Sequence, residues 1–340
     1  MKDQWGREID YMRVSITDRC NLRCCYCMPH GIPWAPMADI LTLEEYAQIV
    51  SCGAALGIRK VKVTGGEPLV RLGCCDFVAM LKQIPGIEQV TITTNGVLLG
   101  RYLEGLLAAG VDGVNISLDT LDAGLYRALT GAGELEQVLN AIKEAVKSCK
   151  GRKVPVKVNA VSLNLSEVAK QLGYAYHGPG WPELLELAKG YPVDVRFIET
   201  MPIGYGKQYP PVGHQEMLSY LKRQYPGMER DEGFHGHGPA TYYRIPGFQG
   251  SIGFISALHG KFCHNCNRVR LTSKGFLKSC LCYEDGVDLR KILRGSETGQ
   301  RKQDQLMEGM RQKIWGKPAA HCFEYPEHVT EYENMAKIGG

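Results

Sequence analysis

No run of about 18 consecutive apolar residues occurs in this 340-residue chain, which excludes a membrane-spanning helix. The opening segment, MKDQWGREIDYMRVSITDRC, carries acidic side chains and lacks an apolar h-region, so it does not read as a secretory signal, and the chain is expected in the cytoplasm. Neither sign of charge dominates. The 40 Lys and Arg stand against 36 Asp and Glu, a net of +4, which is too little for a nucleic-acid or membrane surface, although clustered cations still suit a small anionic ligand. Repeats and low-complexity tracts are missing, and 44% hydrophobic with 22% charged residues excludes a disordered or fibrous chain. Cysteine, by contrast, is plentiful. Thirteen thiols, an odd number in a reducing compartment, argue against a disulfide framework and make cysteine the first place to look for chemistry.

Short β-rich segments at Tyr11–Thr17, Lys60–Thr64, Val90–Thr94, Gly113–Leu118, Val154–Val161 and Asp194–Glu199 alternate with helical periodicity. The helical stretches are Thr42–Leu56, Cys74–Gln83, Leu99–Ala109, Leu135–Cys149 and Trp181–Ala188, and Thr42 with Glu45 forms a capping box. Six strands with five crossovers predict an α/β protein with a parallel sheet, either an open doubly wound sheet or a full or partial barrel. In all of these, function gathers at the carboxyl ends of the strands. Here those ends read Thr17–Cys20, Thr64–Pro68, Thr94–Gly96, Ser117–Asp119, Asn159 and Glu199–Met201. From Pro202 onward Gly, Pro, Tyr and His become frequent, which predicts a second, smaller unit and a division into 1–201 and 202–340. Tyr174–Pro182 reads as a loop within the fifth crossover.

Cys20, Cys24 and Cys27 follow the first strand with C-x3-C-x2-C spacing. Three thiolates on one loop can hold three irons of a [4Fe–4S] cube and leave the fourth open to a ligand; zinc is the other metal that soft sulfur suits, though this is not its common spacing. Cys25 points elsewhere. A second set, Cys263-x2-Cys266-x13-Cys280, taken alone slightly favours zinc over a cluster, and Cys282 competes with Cys280 for its place. Cys52, Cys74, Cys75, Cys149, Cys282 and Cys322 read as small buried hydrophobes.

CNLRCCYC (20–27) resembles the cluster loop of the radical S-adenosylmethionine (SAM) superfamily, and TGGEP (64–68) resembles its SAM-binding strand end. Taken with TITTNGVLL, NISLDTLD, VKVNAV, RFIETMPIG, FCHNCNRVRLTSKGFLKSCL and the terminal Gly339-Gly340, the whole chain resembles the GTP 3′,8-cyclase family of molybdenum cofactor biosynthesis. The resemblance implies a partial (β/α)6, TIM-like barrel whose open side is covered by a C-terminal region. It implies two [4Fe–4S] clusters, one on Cys20, Cys24 and Cys27 that binds SAM, the other on Cys263, Cys266 and Cys280 that binds the guanine base. Reductive cleavage of SAM would give a 5′-deoxyadenosyl radical that takes hydrogen from C3′ of GTP, after which C3′ attacks C8 to give (8S)-3′,8-cyclo-7,8-dihydroguanosine triphosphate.

Position by position, the resemblance implies SAM contacts at Tyr26, Gly66, Ser117 and Met201, and GTP contacts at Arg13, Lys62, Thr93, Lys157, Arg268, Val269 and Arg270. Arg268, Arg270, Gly339 and Gly340 would act in catalysis, the diglycine tail entering the active site. An electron-donor protein and a homodimer are implied as well. A triphosphate carries about four negative charges, so cations converging from several strands are what its binding requires. The chain departs from the family pattern at Lys62, where arginine is usual, at Leu72, where a second arginine is frequent, and in its longer Tyr174–Pro182 segment. Two competing readings are a peptide-modifying radical SAM maturase and a non-enzymatic iron–sulfur or zinc scaffold.

Overall fold

The computed structural model describes residues 1–31 and 35–338. Strands β1 (Tyr11–Ser15), β2 (Lys60–Thr64), β3 (Gln89–Thr94), β4 (Gly113–Ser117), β5 (Val156–Val161) and β6 (Asp194–Ile198) pair in parallel in chain order. Helices α1 (Leu43–Ala55), α2 (Cys74–Lys82), α3 (Leu99–Ala108), α4 (Ala123–Thr130), α5 (Leu135–Lys150), α6 (Leu165–Gln171) and α7 (Leu185–Gly190) fill the crossovers. The capping box opens α1 as expected, with the Glu45 N–H donating to Thr42 Oγ1 at 3.2 Å and the Thr42 N–H to Glu45 Oε2 at 2.8 Å.

Alternation along the strands sorts side chains by face. Val61, Val63, Ile92, Val114, Ile116, Val158, Val195 and Phe197 are wholly buried in the main apolar core. Each contributes about 1.5–3 kcal/mol by leaving water. The intervening positions, among them Arg13, Lys62, Thr93, Asn115, Lys157 and Arg196, line an interior cavity instead. The partial TIM-like barrel is therefore apolar outside its sheet and polar inside it, the reverse of a barrel packed solid with branched aliphatics.

The residues after 201 do not build a sheet of their own. Strands β7 (Glu229–Asp231), β8 (Thr241–Arg244), β9 (Ile252–Ile255), β10 (Arg268–Leu271), β11 (Phe276–Lys278) and β12 (Gly286–Asp288) extend the same sheet at both edges. Among the described residues the order is β12-β11-β10-β1-β2-β3-β4-β5-β6-β9-β8-β7. β9 lies parallel to β6 and β10 parallel to β1, so the parallel run is eight strands long where the periodicity of the first 200 residues gives six. The later segments carry helices α8 (His214–Gln224), α9 (Leu289–Leu293) and α10 (Gly299–Trp315). Two short helices, α4 and α6, occupy stretches that the apolar spacing leaves unassigned; the side chains of Asp122 and Asn164 cap them. Residues 174–180 are irregular, while Trp181–Leu184 forms a 3-10 turn leading into α7. Among the described residues no helix is long and apolar enough to cross a membrane.

Candidate functional site

A cavity of about 370 Å³ occupies the barrel interior. Cys20, Cys24, Cys27, Tyr26, Gly66, Ser117 and Met201 border it, as do Arg13, Lys62, Thr93, Lys157, Arg268 and Arg270. Residues as far apart in the chain as Arg13 and Arg270 thus meet in one space.

The cysteine loop leaves β1 and is held on three sides. The Cys27 and Met28 N–H groups donate to the Cys24 carbonyl at 2.9 and 3.0 Å, curling the loop. The end of α4 grips its back, where the Arg23 and Cys25 N–H groups reach the carbonyls of Thr130 and Leu129 at 2.7 and 2.8 Å. Cys25 is buried against Leu125, Leu129 and Leu163, away from the other three thiols. On the third side, the Tyr26 hydroxyl donates to Asp119 Oδ2 at 2.6 Å, and Asp119 Oδ1 accepts the Val161 N–H at 2.8 Å. Burial raises the Cys20 and Cys24 thiols above their ordinary range and pushes Cys27 up to about 12, with the other thiols adding to the effect on Cys24 and Cys27. Thiols so placed favour ionisation only with added positive charge beside them.

Gly65 and Gly66 stand where backbone meets backbone. A Cβ on Gly66 would lie 2.4 Å from the Arg19 carbonyl oxygen, and one on Gly65 would lie 2.6 Å from that of Thr17. The Gly66 and Glu67 N–H groups donate to the Thr17 and Arg19 carbonyls, both at 2.8 Å. The end of β2 therefore braces the segment that delivers Cys20. Asn95, after β3, completes the brace by pointing its Nδ2 at Cys20 Sγ, 3.7 Å away.

Deeper in the barrel the cations crowd one another. Burial, then Arg196, Arg13, Lys157 and Arg268, hold Lys62 well below the ordinary lysine range. Arg13 is lowered to about 10 and Arg270 to about 9, burial being the larger cause in both. Lys157 falls to about 8 through burial and Arg196, although Asp194 lies 3.3 Å from its Nζ. Arg268 stacks over Phe262 and Tyr11, and its buried Nε has no hydrogen-bond partner among the described residues. Crowded cations of this kind favour an anion among them.

Arg196, which opens the RFIETMPIG stretch but carries no assigned role in the sequence reading, joins this group. Its Nε and Nη2 donate to Asn159 Oδ1 at 2.9 Å and Asn115 Oδ1 at 2.5 Å, and Asn115 in turn donates to the Ile92 carbonyl at 2.9 Å. The available signal is strand register: Asn159 pairs with Arg196 and Asn115 with Lys157, in two neighbouring rows of one inward face. Val269, between the two arginines of β10, is wholly buried in the apolar core, and its side chain does not border the cavity.

The second cysteine set lies beside the cavity, joined to it through Arg268 and Arg270. A 3-10 turn at Cys263–Asn265 brings the Cys266 N–H to the Cys263 carbonyl at 3.1 Å, and the antiparallel pairing of β10 with β11 brings Cys280 back toward them. The N-terminal arm pins this loop: Arg7, ion-paired with Asp3 at 2.6 Å, donates to the carbonyls of Cys263 at 2.8 Å and Ala319 at 2.9 Å. Lys317 is buried nearby. Burial resists ionisation of Cys266, but Lys317, Arg268, a backbone N–H and Arg270 outweigh it and lower the thiol. Burial raises Cys280. Cys282 turns to Cys322 instead, with the two Sγ atoms 3.3 Å apart.

Among the described residues no three His, Cys, Asp or Glu side chains gather closely enough to share one metal ion. The C-terminal segment reaches the same space: Met335 and Ala336 border the cavity, and the Ala336 backbone hydrogen-bonds the Cys27 thiol. Gly339 and Gly340 lie outside the described residues.

An open parallel barrel carrying a three-cysteine loop at its carboxyl rim is the architecture of the radical SAM superfamily, which this chain matches over residues 14–164; residues 193–323 match the molybdenum cofactor synthesis C-terminal family. The fold is similar to that of Streptococcus suis SuiB bound to S-adenosylmethionine, with a TM-score of 0.61 at 13% identity over 98% of this chain and 78% of that one. Proteins named GTP 3′,8-cyclase from Clostridium perfringens and Alkaliphilus oremlandii are each 40% identical to it, and one from Heliobacterium modesticaldum is 41% identical, each alignment covering 100% of both chains. The chain belongs to the GTP 3′,8-cyclase family within that superfamily.

Proposed function

We propose that this chain is a GTP 3′,8-cyclase, converting GTP to (8S)-3′,8-cyclo-7,8-dihydroguanosine triphosphate in the first step of molybdenum cofactor biosynthesis. The observation that carries the reading is the convergence of Arg13, Lys62, Lys157, Arg196, Arg268 and Arg270 on a cavity whose rim holds Cys20, Cys24 and Cys27. A peptide substrate has no need of so many buried cations, whereas a triphosphate does.

The two cysteine sets fit [4Fe–4S] clusters. Each set offers three thiols, and a cube takes one thiolate per iron, which leaves its fourth iron open to a ligand. Cys20, Cys24 and Cys27 would hold one cluster and Cys263, Cys266 and Cys280 the other. With SAM bound, the first supplies one-electron chemistry that yields a carbon radical.

The chain's own residues do the rest. Gly66 admits SAM close to backbone, Tyr26 is steered by Asp119, and Ser117 and Met201 close that end of the cavity. Arg13, Lys62, Thr93, Lys157 and Arg196 take the phosphates and sugar, while Arg268 and Arg270 orient the nucleotide toward the second cysteine set. We assign Val269 a backbone contact only. The position of Met335 and Ala336 supports a role for Gly339 and Gly340 inside the site. A cytoplasmic setting, a protein electron donor and a homodimer accompany this reading; thirteen free thiols suit a reducing compartment.

Anaerobic incubation with SAM, GTP and dithionite, followed by mass analysis, tests the proposal. The expected result is 5′-deoxyadenosine together with a cyclised guanosine triphosphate of unchanged mass and altered ring chemistry. Cleavage of SAM that leaves GTP intact would overturn it.

A further inference from the structure

Cys282 and Cys322 are the thiols that the cysteine sets above leave over at this end of the molecule. Forty residues apart in sequence, they face each other with Sγ atoms 3.3 Å apart, and the Cys322 N–H donates to Cys282 Sγ at 3.4 Å. Their exposure differs in a useful way: Cys282 is wholly buried, whereas Cys322 is partly open to solvent. A disulfide requires about 2.05 Å between the sulfurs, a closing movement of roughly 1.2 Å.

We propose that Cys282 and Cys322 form a redox-active dithiol that closes to a disulfide by exchange with a low-molecular-weight disulfide. Cys322, as thiolate, attacks one sulfur of the small disulfide, forming a mixed disulfide and releasing one small thiol. Cys282 then attacks the Cys322 sulfur, closing the protein disulfide and releasing the second. Two protein thiols are oxidised, one small disulfide is reduced to two thiols, and no other electron acceptor is needed.

The bond would act on the C-terminal segment. Cys322 begins the stretch that continues through Phe323, Val329 and Ile338, which pack with Ile203, Leu281 and Cys282 in one apolar cluster. Further along, Met335 and Ala336 border the main cavity. Joined at Cys322, this strap is tied to the hairpin that carries Cys280, so oxidation fixes the cover of the site. The dithiol itself rests on geometry and is independent of the proposed activity.

The test uses the anaerobically purified full chain with its metal content intact, exposed to oxidised glutathione, quenched by alkylation and digested with trypsin. The expected product is a peptide pair linked between Cys282 and Cys322, reversed by dithiothreitol, with iron content unchanged. Fragmentation must place the bond on Cys282, because Cys280 shares its tryptic peptide. Amide exchange across residues 323–338 should slow in the oxidised form, and Cys322→Ser should give neither effect. Unmodified thiols, glutathione retained on Cys322 as a stable adduct, or a link to Cys280 would each overturn the proposal.

Discussion

Lys317 Nζ donates to the carbonyl of Arg268 at 3.0 Å and also reaches the carbonyl of Ser279, tying the start of β10 to the end of β11 with a side chain that is 2% exposed. Cys280 follows Ser279 directly, and Cys266 lies two residues before Arg268. Among the described residues no carboxylate pairs with this lysine, and its positive charge favours the thiolate form of both Cys266 and Cys280. Lys317→Met keeps the bulk but strands two buried carbonyls, each costing about 1–3 kcal/mol. We expect iron to fall to about half of the wild-type content after reconstitution, with the spectroscopic signal of the first site retained, as loss confined to one of two four-iron sites requires. Equal loss from both cysteine sets would show that the lysine serves the fold generally.

Gly66→Ala tests the brace beneath Cys20. The new Cβ would meet the Arg19 carbonyl oxygen at 2.4 Å and that of Asp18 at 2.9 Å, and these backbone atoms offer no flexible side chain to yield. Overpacking of this kind costs about 1–3 kcal/mol. The displaced loop should weaken SAM binding at least tenfold in equilibrium dialysis while GTP binding stays near wild type. A variant with normal SAM affinity would remove Gly66 from the cofactor side of the site.

Nucleotide binding should take up protons. Lys62 sits well below its ordinary range because of burial and its cationic neighbours, and Lys157 is lowered to about 8. A bound polyanion favours the charged form of both groups and raises them, so part of the population is protonated on binding near pH 8. Calorimetric titration with GTP, without reductant, should give heats that depend on the buffer's ionisation enthalpy in the sense of uptake. Lys62→Met should reduce that dependence and leave the share due to Lys157. Heats independent of buffer would contradict the proposed cation site.

Much of this is legible in the sequence. The alternating strands and Gly-rich strand ends located the rim, because period-two patterning and turn chemistry are local properties. The inward face shared by Asn115, Asn159 and Arg196 was not legible, since register between strands depends on the arrangement of the whole sheet. The same holds for the joining of β9 and β10 to the barrel edges: the change of composition after Pro202 suggested a separate unit, yet unpaired edges of β1 and β6 recruit those strands. Lys317 carried no motif at all. Its meaning comes from what its terminal nitrogen touches, which sequence spacing does not encode.

Glu67, next to Gly66, offers a measurement of the brace itself. It is wholly buried and accepts from the Leu69 N–H at 3.0 Å, Thr94 Oγ1 at 2.8 Å and the Asn95 N–H at 2.6 Å. Burial outweighs these bonds and raises its carboxyl to about 7. Because the folded value lies above the ordinary 4.5, its contribution to stability is fully present below pH 4.5 and is lost as pH rises through about 7. The shift corresponds to about 3 kcal/mol over that window. Glu67→Gln has no charge to bury and keeps only one oxygen acceptor, which adds an offset that does not change with pH. Denaturant unfolding between about pH 5 and pH 8 should therefore show the wild-type advantage over the variant shrinking as pH rises. An advantage that grows with pH would mean the carboxylate is held ionised, with its three donors winning over burial.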